Sequence, residues 1–266
     1  MKEGFVMKLT TLGSWGAYPY QDAGTTAYLV TGHDGFQLLM DAGSRSLNEL
    51  EKEINPLDLD AVIISHYHPD HVADLGVLRH YYQLYPRHLG KPRLLPIYGH
   101  DEDETEFAKL TLPGVSKGIA YQVDGVEAIG PFDITFIKTV HPVVCYGFRI
   151  VERATGQVLV FTGDTGYFEE LADFAAEADV FLADVYLYEG NEHHMAHLTS
   201  KEAGQLASRA KVKRLILTHM PPLPPEGIDP KRHLEVLRQQ AQGYAGQIPV
   251  DLALPHRAWD LGSLSQ

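Results

Sequence analysis

The sequence predicts a layered α/β fold. Short apolar runs bounded by glycine, proline and aspartate are typical of buried strands, and they alternate with segments whose apolar residues recur at helical spacing. Strands followed by helices occur in both halves of the chain, which favours sheets covered by helices. A chain of 266 residues can form one domain of this class, and no linker or repeat marks a boundary. We therefore expect a single domain over residues 1–266.

The first half begins with strand-like runs and a short helix. Strands are predicted at Lys8–Leu12, Thr25–Thr31 and Phe36–Asp41, and the helix at Ser44–Ile54. The run Ala61–Ser65 (AVIIS) is typical of a buried strand. Val72, Leu75 and Leu78 follow at helical spacing. The chain thus passes from a strand through a histidine-rich turn into a helix.

The second half repeats this scheme. Strands are predicted at Ile134–Val140, Gly147–Val151, Val158–Thr162, Val180–Asp184 and Leu215–Thr218. An apolar stripe predicts one helix across Phe168–Ala178. Thr199 and Glu202 match a capping box, so a second helix should begin there and end near Ala210. The proline-rich stretch Pro221–Pro230 is predicted to be a surface loop.

Composition limits the possible functions. The chain has 22 Lys and Arg against 35 Asp and Glu, a net charge of -13, which disfavours binding to extended nucleic acid. No apolar run approaches the length of a membrane span, and the first residues lack a signal-peptide core, so we expect no membrane association. The single cysteine, Cys145, permits no internal disulfide, which suits the reducing cytoplasm.

The segment His66-Tyr67-His68-Pro69-Asp70-His71 concentrates ligand-type side chains. It lies directly after a predicted buried strand and before a helix. Alternate residues of an extended turn point the same way, so His66 and His68 can share one metal ion. Asp70 and His71, at the helix start, can point to a second ion. Imidazole and carboxylate together suit zinc, manganese or iron.

Three more ligand-type residues follow predicted strands. His141 follows Ile134–Val140, Asp164 follows Val158–Thr162, and His219 follows Leu215–Thr218. Strand ends are where α/β folds place their sites. Taken singly, a His or Asp at a strand end is more often a cap or a satisfied polar residue than a ligand. In this order after the first motif, they indicate a metal centre.

These residues resemble the metallo-β-lactamase superfamily, whose motif HxHxDH is followed by a His, an Asp and a His. The resemblance extends over nearly the whole chain and implies a four-layer αββα sandwich. It also implies two divalent ions per chain. One is held by His66, His68 and His141, the other by Asp70, His71 and His219, with Asp164 between them. Zn²⁺ is the expected metal, and these ligand types also suit Mn²⁺ and Fe²⁺.

Several features select a branch of the superfamily. Asp164 stands where the true β-lactamases usually have cysteine, which disfavours antibiotic hydrolysis. His68 stands where the diiron flavoproteins have glutamate, which disfavours a redox function. The string Leu12–Pro19 (LGSWGAYP) resembles the glycine loop of ribonuclease Z and its short relatives. The segment His141–Ile150 and the string His197-Leu198-Thr199 ahead of the last histidine are also similar to that family.

The resemblance to ribonuclease Z implies catalytic roles. There, the histidine that matches His197 is held by an acidic residue and acts on the leaving oxygen. Asp184 is the best match for that acid, although the family usually has glutamate. His193 and His194 lie close enough in sequence to take the same role. Asp70 is expected to orient or deprotonate the nucleophile while also binding metal.

Other features depart from ribonuclease Z. Ala23 and Gly24 replace its Arg-Asn pair, no long basic arm is present, and Asp101–Glu104 is an acidic run. We therefore expect a phosphodiesterase that uses a metal-bound hydroxide on a small phosphodiester, such as a cyclic nucleotide or short oligonucleotide. The alternative is an acyl hydrolase with the same centre, either a glyoxalase II-like thioesterase or a lactonase. A tRNA 3′-processing endonuclease and a non-catalytic metal-binding module fit less well. The family alone implies a homodimer.

Overall fold

The computed structural model describes residues 6–89 and 93–265, which form two mixed sheets. The first sheet contains β1 (Lys8–Trp15), β2 (Gly24–Thr25), β3 (Ala27–Thr31), β4 (Gln37–Met40), β5 (Ala61–Ile63), β6 (Leu95–Gly99), β7 (Ser116–Ala120) and a last strand, Ala258–Asp260. The second sheet contains β8 (Glu127–Ile129), β9 (Phe132–Lys138), β10 (Tyr146–Glu152), β11 (Val158–Phe161), β12 (Val180–Asp184), β13 (Leu215–Thr218) and β14 (Val250–Leu252). The strand Ala258–Asp260, which belongs to the first sheet, is β15.

The central strands of each sheet run parallel to one another. The order is β15-β1-β3-β4-β5-β6-β7 in the first sheet, with β2 paired to β1, and β14-β13-β12-β11-β10-β9-β8 in the second. Strands β4, β5 and β6 are parallel, as are β11, β12 and β13. Because parallel strands end at the same edge, residues that follow them are brought together.

Helices cover the outer faces. They are α1 (Ser46–Glu53), α2 (Pro69–Val72), α3 (Leu75–Leu84), α4 (Glu104–Ala108), α5 (Glu170–Phe174), α6 (Ser200–Ala210) and α7 (His233–Ala245). Short 3₁₀ turns occur at Pro56–Asp58, Arg87–Leu89 and Leu261–Ser265. Within the described ranges, no helix has both the length and the apolar character that crossing a membrane requires.

Three apolar clusters define four layers. Tyr28 of β3 and Phe148 of β10 belong to one cluster, which lies between the two sheets. Val62 of β5 packs with Leu78 of α3 on the outer face of the first sheet. Phe181 of β12 packs with helices α5, α6 and α7 on the outer face of the second. Side chains alternate between the faces of a strand, so each sheet serves two clusters. The predicted αββα sandwich is confirmed.

The predicted elements match closely where the apolar signal is strong. Strands β12 and β13 have the predicted bounds, and Thr199 and Glu202 form the predicted capping box at the start of α6. Where the sequence predicts a helix over Phe168–Ala178, the structure has only the five-residue helix α5. The stretch 221–230 carries no strand or helix.

Candidate metal centre

The predicted ligands converge at one edge of the sandwich. The histidine-rich turn follows β5, and Pro69 at the first position of α2 fixes the backbone where that helix begins. His141 follows β9, Asp164 follows β11 and His219 follows β13. His219 has a left-handed backbone, with φ of 49°. The structure thus brings all seven predicted metal ligands together.

The first group contains three histidines and the carboxylate of Asp164. His68 Nδ1 lies 3.1 Å from His66 Nε2 and 3.1 Å from His141 Nε2. Asp164 Oδ2 is 3.7 Å from His66 Nε2 and 4.0 Å from His141 Nε2. Four ligand atoms therefore surround one small volume.

The second group shares Asp164 with the first. Its Oδ1 lies 3.3 Å from His71 Nε2, and its Oδ2 lies 3.2 Å from His219 Nε2. Asp70 Oδ2 completes the group, at 3.1 Å from His219 Nε2 and 3.7 Å from His71 Nε2. Asp164 is the residue common to both groups, the position that the resemblance gave to a bridging ligand.

Hydrogen bonds outside the groups fix which nitrogen faces inward. His71 Nδ1 lies 2.7 Å from Asp41 Oδ2, and His141 Nδ1 lies 3.1 Å from the carbonyl oxygen of Ala196. These oxygens accept, so Nδ1 of each ring donates and Nε2 of each neutral ring points a lone pair into the centre. His71 Nε2 and Asp164 Oδ1 are buried without a hydrogen bond. A cation bound at the centre would satisfy both of these atoms.

Electrostatics also favour positive charge here. Burial lowers the pKa of His71, but the carboxylates of Asp164 and Asp41 outweigh burial and raise it to about 10. Burial raises the pKa of Asp164, but the charges of His219 and His71 outweigh burial and hold that pKa well below its ordinary value. Burial lowers the pKa of His68 and His141, which favours neutral imidazole, the form that binds metal.

His197 and Asp184 lie beside the second group. His197 Nδ1 is 2.9 Å from Asp184 Oδ2, and its ring stacks on His219 at 5.1 Å between centroids. Asp184 also lies near the second group, with Oδ1 at 3.4 Å from His219 Nδ1. The structure thus places the two predicted catalytic residues in contact. The His197 side chain is 18% exposed, so it lies at the mouth of the centre.

The two alternative histidines are placed differently. His193 is exposed, and its backbone N–H donates to Glu202 Oε1 at 2.7 Å, which ties the loop to α6. His194 stacks on His197 at 6.0 Å, and its Nδ1 accepts the N–H of Ala196. Among the described residues, neither is paired with Asp184. His193 Nδ1 lies 3.8 Å from Glu202 Oε1, so of the three only His197 is paired with Asp184.

Comparison with known proteins agrees with this geometry. The family model described as a beta-lactamase superfamily domain matches residues 35–220. The chain belongs to the metallo-β-lactamase superfamily. Together with the converging ligands, this membership identifies a metallohydrolase and implies divalent metal binding.

Relatives and solved structures support the assignment. The probable metallo-hydrolase YhfI of Bacillus subtilis (strain 168) is 42% identical over 217 residues, which cover 81% of this chain and 87% of YhfI. Its crystal structure has a TM-score of 0.86 at 37% identity and covers 95% of this chain and 99% of that one. Human tRNase Z, short form, has a TM-score of 0.71 at 20% identity, over 96% and 99% of the two chains. Unliganded yeast PDE1 has a TM-score of 0.72 at 16% identity, over 96% and 99%. These last two similarities show a shared fold.

Sequence reasoning missed the supports of this metallo-β-lactamase centre. Asp41, after β4, accepts the N–H and hydroxyl of Ser65 at 2.8 Å each, besides its bond to His71. It is buried and lies in the left-handed region, with φ of 55°. A carboxylate at the end of a strand was the available signal, the same one that identified Asp164.

The glycine loop provides another support. The backbone N–H of Ala17 donates to Asp70 Oδ2 at 2.8 Å. Gly16 packs so closely that a Cβ there would lie 2.7 Å from Tyr186 Cδ2 and 2.8 Å from the ring of His219. A side chain at position 16 would therefore displace a predicted ligand.

Proposed function

We propose that the chain is a dinuclear metal-dependent phosphodiesterase that cleaves a small phosphodiester. His66, His68 and His141 would hold one divalent ion, Asp70, His71 and His219 the other, and Asp164 would bind both. Zn²⁺ is the expected metal, with Mn²⁺ or Fe²⁺ as alternatives. When bound, such a pair lowers the pKa of water from about 15.7 toward about 7 and stabilises charge on the phosphoryl oxygens.

The observation that carries the diesterase proposal is the His197–Asp184 pair beside the centre. Asp184 accepts from His197 Nδ1 at 2.9 Å, so the other ring nitrogen, Nε2, can hold the proton for transfer. An alkoxide leaving group needs that proton, whereas the thiolate of a thioester leaves readily without it. A general acid at the mouth of the centre therefore favours diester hydrolysis over thioester hydrolysis.

Asp70 supports the attack on phosphorus. Its Oδ2 accepts the Ala17 N–H at 2.8 Å and faces His219 Nε2 at 3.1 Å, so the carboxylate is held in one orientation. The other oxygen, Oδ1, can accept a proton from the attacking water. Burial raises the pKa of Asp70, but the hydrogen bond with His219 and the charges of His71 and His219 outweigh burial and lower that pKa, so the carboxylate is ionised at neutral pH.

The test compares three substrate classes on metal-loaded protein. Bis(p-nitrophenyl) phosphate, an acyl thioester and a lactone are assayed at equal concentration. Asp164→Asn should abolish diester cleavage and lower metal content, whereas Asp173→Asn, an exposed aspartate of α5, should do neither. Thermal unfolding of both variants checks that they fold. Turnover of thioester or lactone with an inert diester would reject the proposal in favour of an acyl hydrolase.

A further inference from the structure

A cavity of about 620 Å³ opens beside the metal centre. Its walls continue directly from two predicted ligands: Tyr67 and His68 form one side, and Pro142–Val144, which follow His141, form another. The mechanism described above does not use this space. A group attached to a phosphate at the metal centre can therefore extend into it.

Acidic side chains form the third wall. Glu102, Asp103, Glu104 and Glu106 line it. Lys138 pairs with Glu102 at 2.6 Å, and Lys109 pairs with Glu106, so two of the four carboxylates have a cationic partner. Asp103 caps α4 through the N–H of Glu106. Within residues 6–89 and 93–265, Glu104 has no ion pair or hydrogen bond from its side chain, so the wall carries net negative charge.

A buried histidine in the same cavity has polar atoms available for a ligand. His100 lines the space and is 2% exposed. The backbone of Val144 lies near its ring, but neither ring nitrogen makes a hydrogen bond of normal geometry. Burial lowers the pKa of His100, against the opposing effect of Glu102 and Asp103, so the ring is neutral and offers one acceptor nitrogen. Buried polar groups left without partners are rare in proteins.

The ring of Tyr67 adds an aromatic surface. Its centroid lies 4.6 Å from that of His100, and its hydroxyl donates to the His100 carbonyl oxygen at 2.6 Å. An aromatic face, an acceptor nitrogen and surplus carboxylates together suit an organic cation with N–H donors. The surplus carboxylates repel further phosphate groups, because both carry negative charge.

The position of His197 indicates which part of the substrate enters this cavity. The proposed general acid must contact the leaving oxygen, and neither His197 nor Asp184 lines the cavity. We propose that the cavity binds a protonated amine on the ester group that stays on phosphorus, so that the substrate is a zwitterionic phosphodiester. This inference rests on the proposed phosphodiesterase function and specifies its substrate class.

The experiment uses three p-nitrophenyl phosphodiesters that share one leaving group. Their second ester groups are 3-aminopropyl, butyl and 3-carboxypropyl, which are close in size and differ in charge. We expect kcat/KM of metal-loaded enzyme to favour the amine over the butyl ester by about fivefold, the range of a partly exposed ion pair. The carboxylate ester should be the poorest substrate. High salt should reduce the preference, because it screens the acidic wall.

Matched charge reversals locate the effect. Glu104 and Glu170 are exposed residues that each begin a five-residue helix, and only Glu104 lines the cavity. Glu104→Lys should remove most of the amine preference, whereas Glu170→Lys should leave it intact. Equal rates for the amine and butyl esters, or the same change in both variants, would overturn the inference and leave the diesterase proposal standing. If none of the three diesters is cleaved, both the inference and the diesterase proposal are overturned.

Discussion

Replacing His197 with alanine tests whether this residue protonates the leaving group. The side chain is held by Asp184 at 2.9 Å and lies 5.1 Å from the ring of His219, so its loss removes a positioned proton donor without removing a predicted ligand. General acid catalysis contributes about 100- to 10,000-fold, which corresponds to ~3–5 kcal/mol in the barrier. That loss should appear only where the leaving oxygen needs a proton.

The assay is kcat/KM for methyl phosphodiesters whose leaving groups range from p-nitrophenol to ethanol. Wild-type enzyme should depend weakly on leaving-group acidity, because His197 supplies the proton. His197→Ala should retain most activity on the nitrophenyl ester and lose activity progressively as the leaving group becomes more basic. The dependence on leaving-group pKa should therefore become steeper in the variant.

His194 provides the matched control. It stacks on His197 at 6.0 Å, is exposed, and is not paired with Asp184 within the described part of the chain. His194→Ala should keep the shallow wild-type dependence. An equal loss on every leaving group in His197→Ala would refute the acid role and point to a structural one. The same steep dependence in His194→Ala would show that the two histidines share the role.

Three other perturbations probe the metal centre. Asp41→Asn should weaken metal binding by about 10- to 100-fold, because the Asp41 carboxylate holds His71 Nδ1 at 2.7 Å. Competition with a chelator measures the metal affinity, and an unchanged affinity would contradict the prediction. In metal-free protein, burial lowers the pKa of His71, but the carboxylates beside it outweigh burial and raise that pKa to about 10. Metal binding near neutral pH should therefore release a proton, and metal affinity should rise with pH. Calorimetry in buffers of different ionisation enthalpy detects that proton, and a buffer-independent heat would argue against it. Gly16→Ala places a Cβ 2.8 Å from the ring of His219, so diester turnover should fall by about 100-fold, and wild-type turnover would show that the loop moves freely.

The ligand set was predictable because each member carries a local signal. Asp164 and His219 follow the parallel strands β11 and β13, and His141 follows β9, which alternates buried and partly exposed residues and ends at the same edge. Strands β12 and β13 were predicted with their observed bounds because they are continuous apolar runs. Pattern and topology thus act together at this edge of the sandwich.

The region from β6 to β8 gave no such signal. Strand β6 reads LPIYG, and its Pro96 and Gly99 argue against a strand by propensity. It forms because it pairs with β5 and buries Leu95 and Ile97 in the apolar cluster on the outer face of the first sheet. For α7 the sequence predicts only that helix and strand patterns continue beyond Pro230, without bounds, because Arg232 at its N-cap is not a typical capping residue. Tertiary packing therefore determines both β6 and α7, and the wall of the cavity beside His68 depends on β6.

Asp184 shows why the general acid is better tested at His197 than through its partner. Oδ2 of Asp184 accepts from His197 Nδ1 at 2.9 Å and from the backbone N–H of Thr165 at 3.0 Å, while Oδ1 lies 3.4 Å from His219 Nδ1. One carboxylate thus orients the proposed proton donor, a predicted metal ligand and the loop after β11. Its replacement would change metal affinity and proton transfer at once. Among the described residues, the side chain of His197 hydrogen-bonds to Asp184 alone and contacts His219 only by ring stacking, so its removal tests proton transfer more directly.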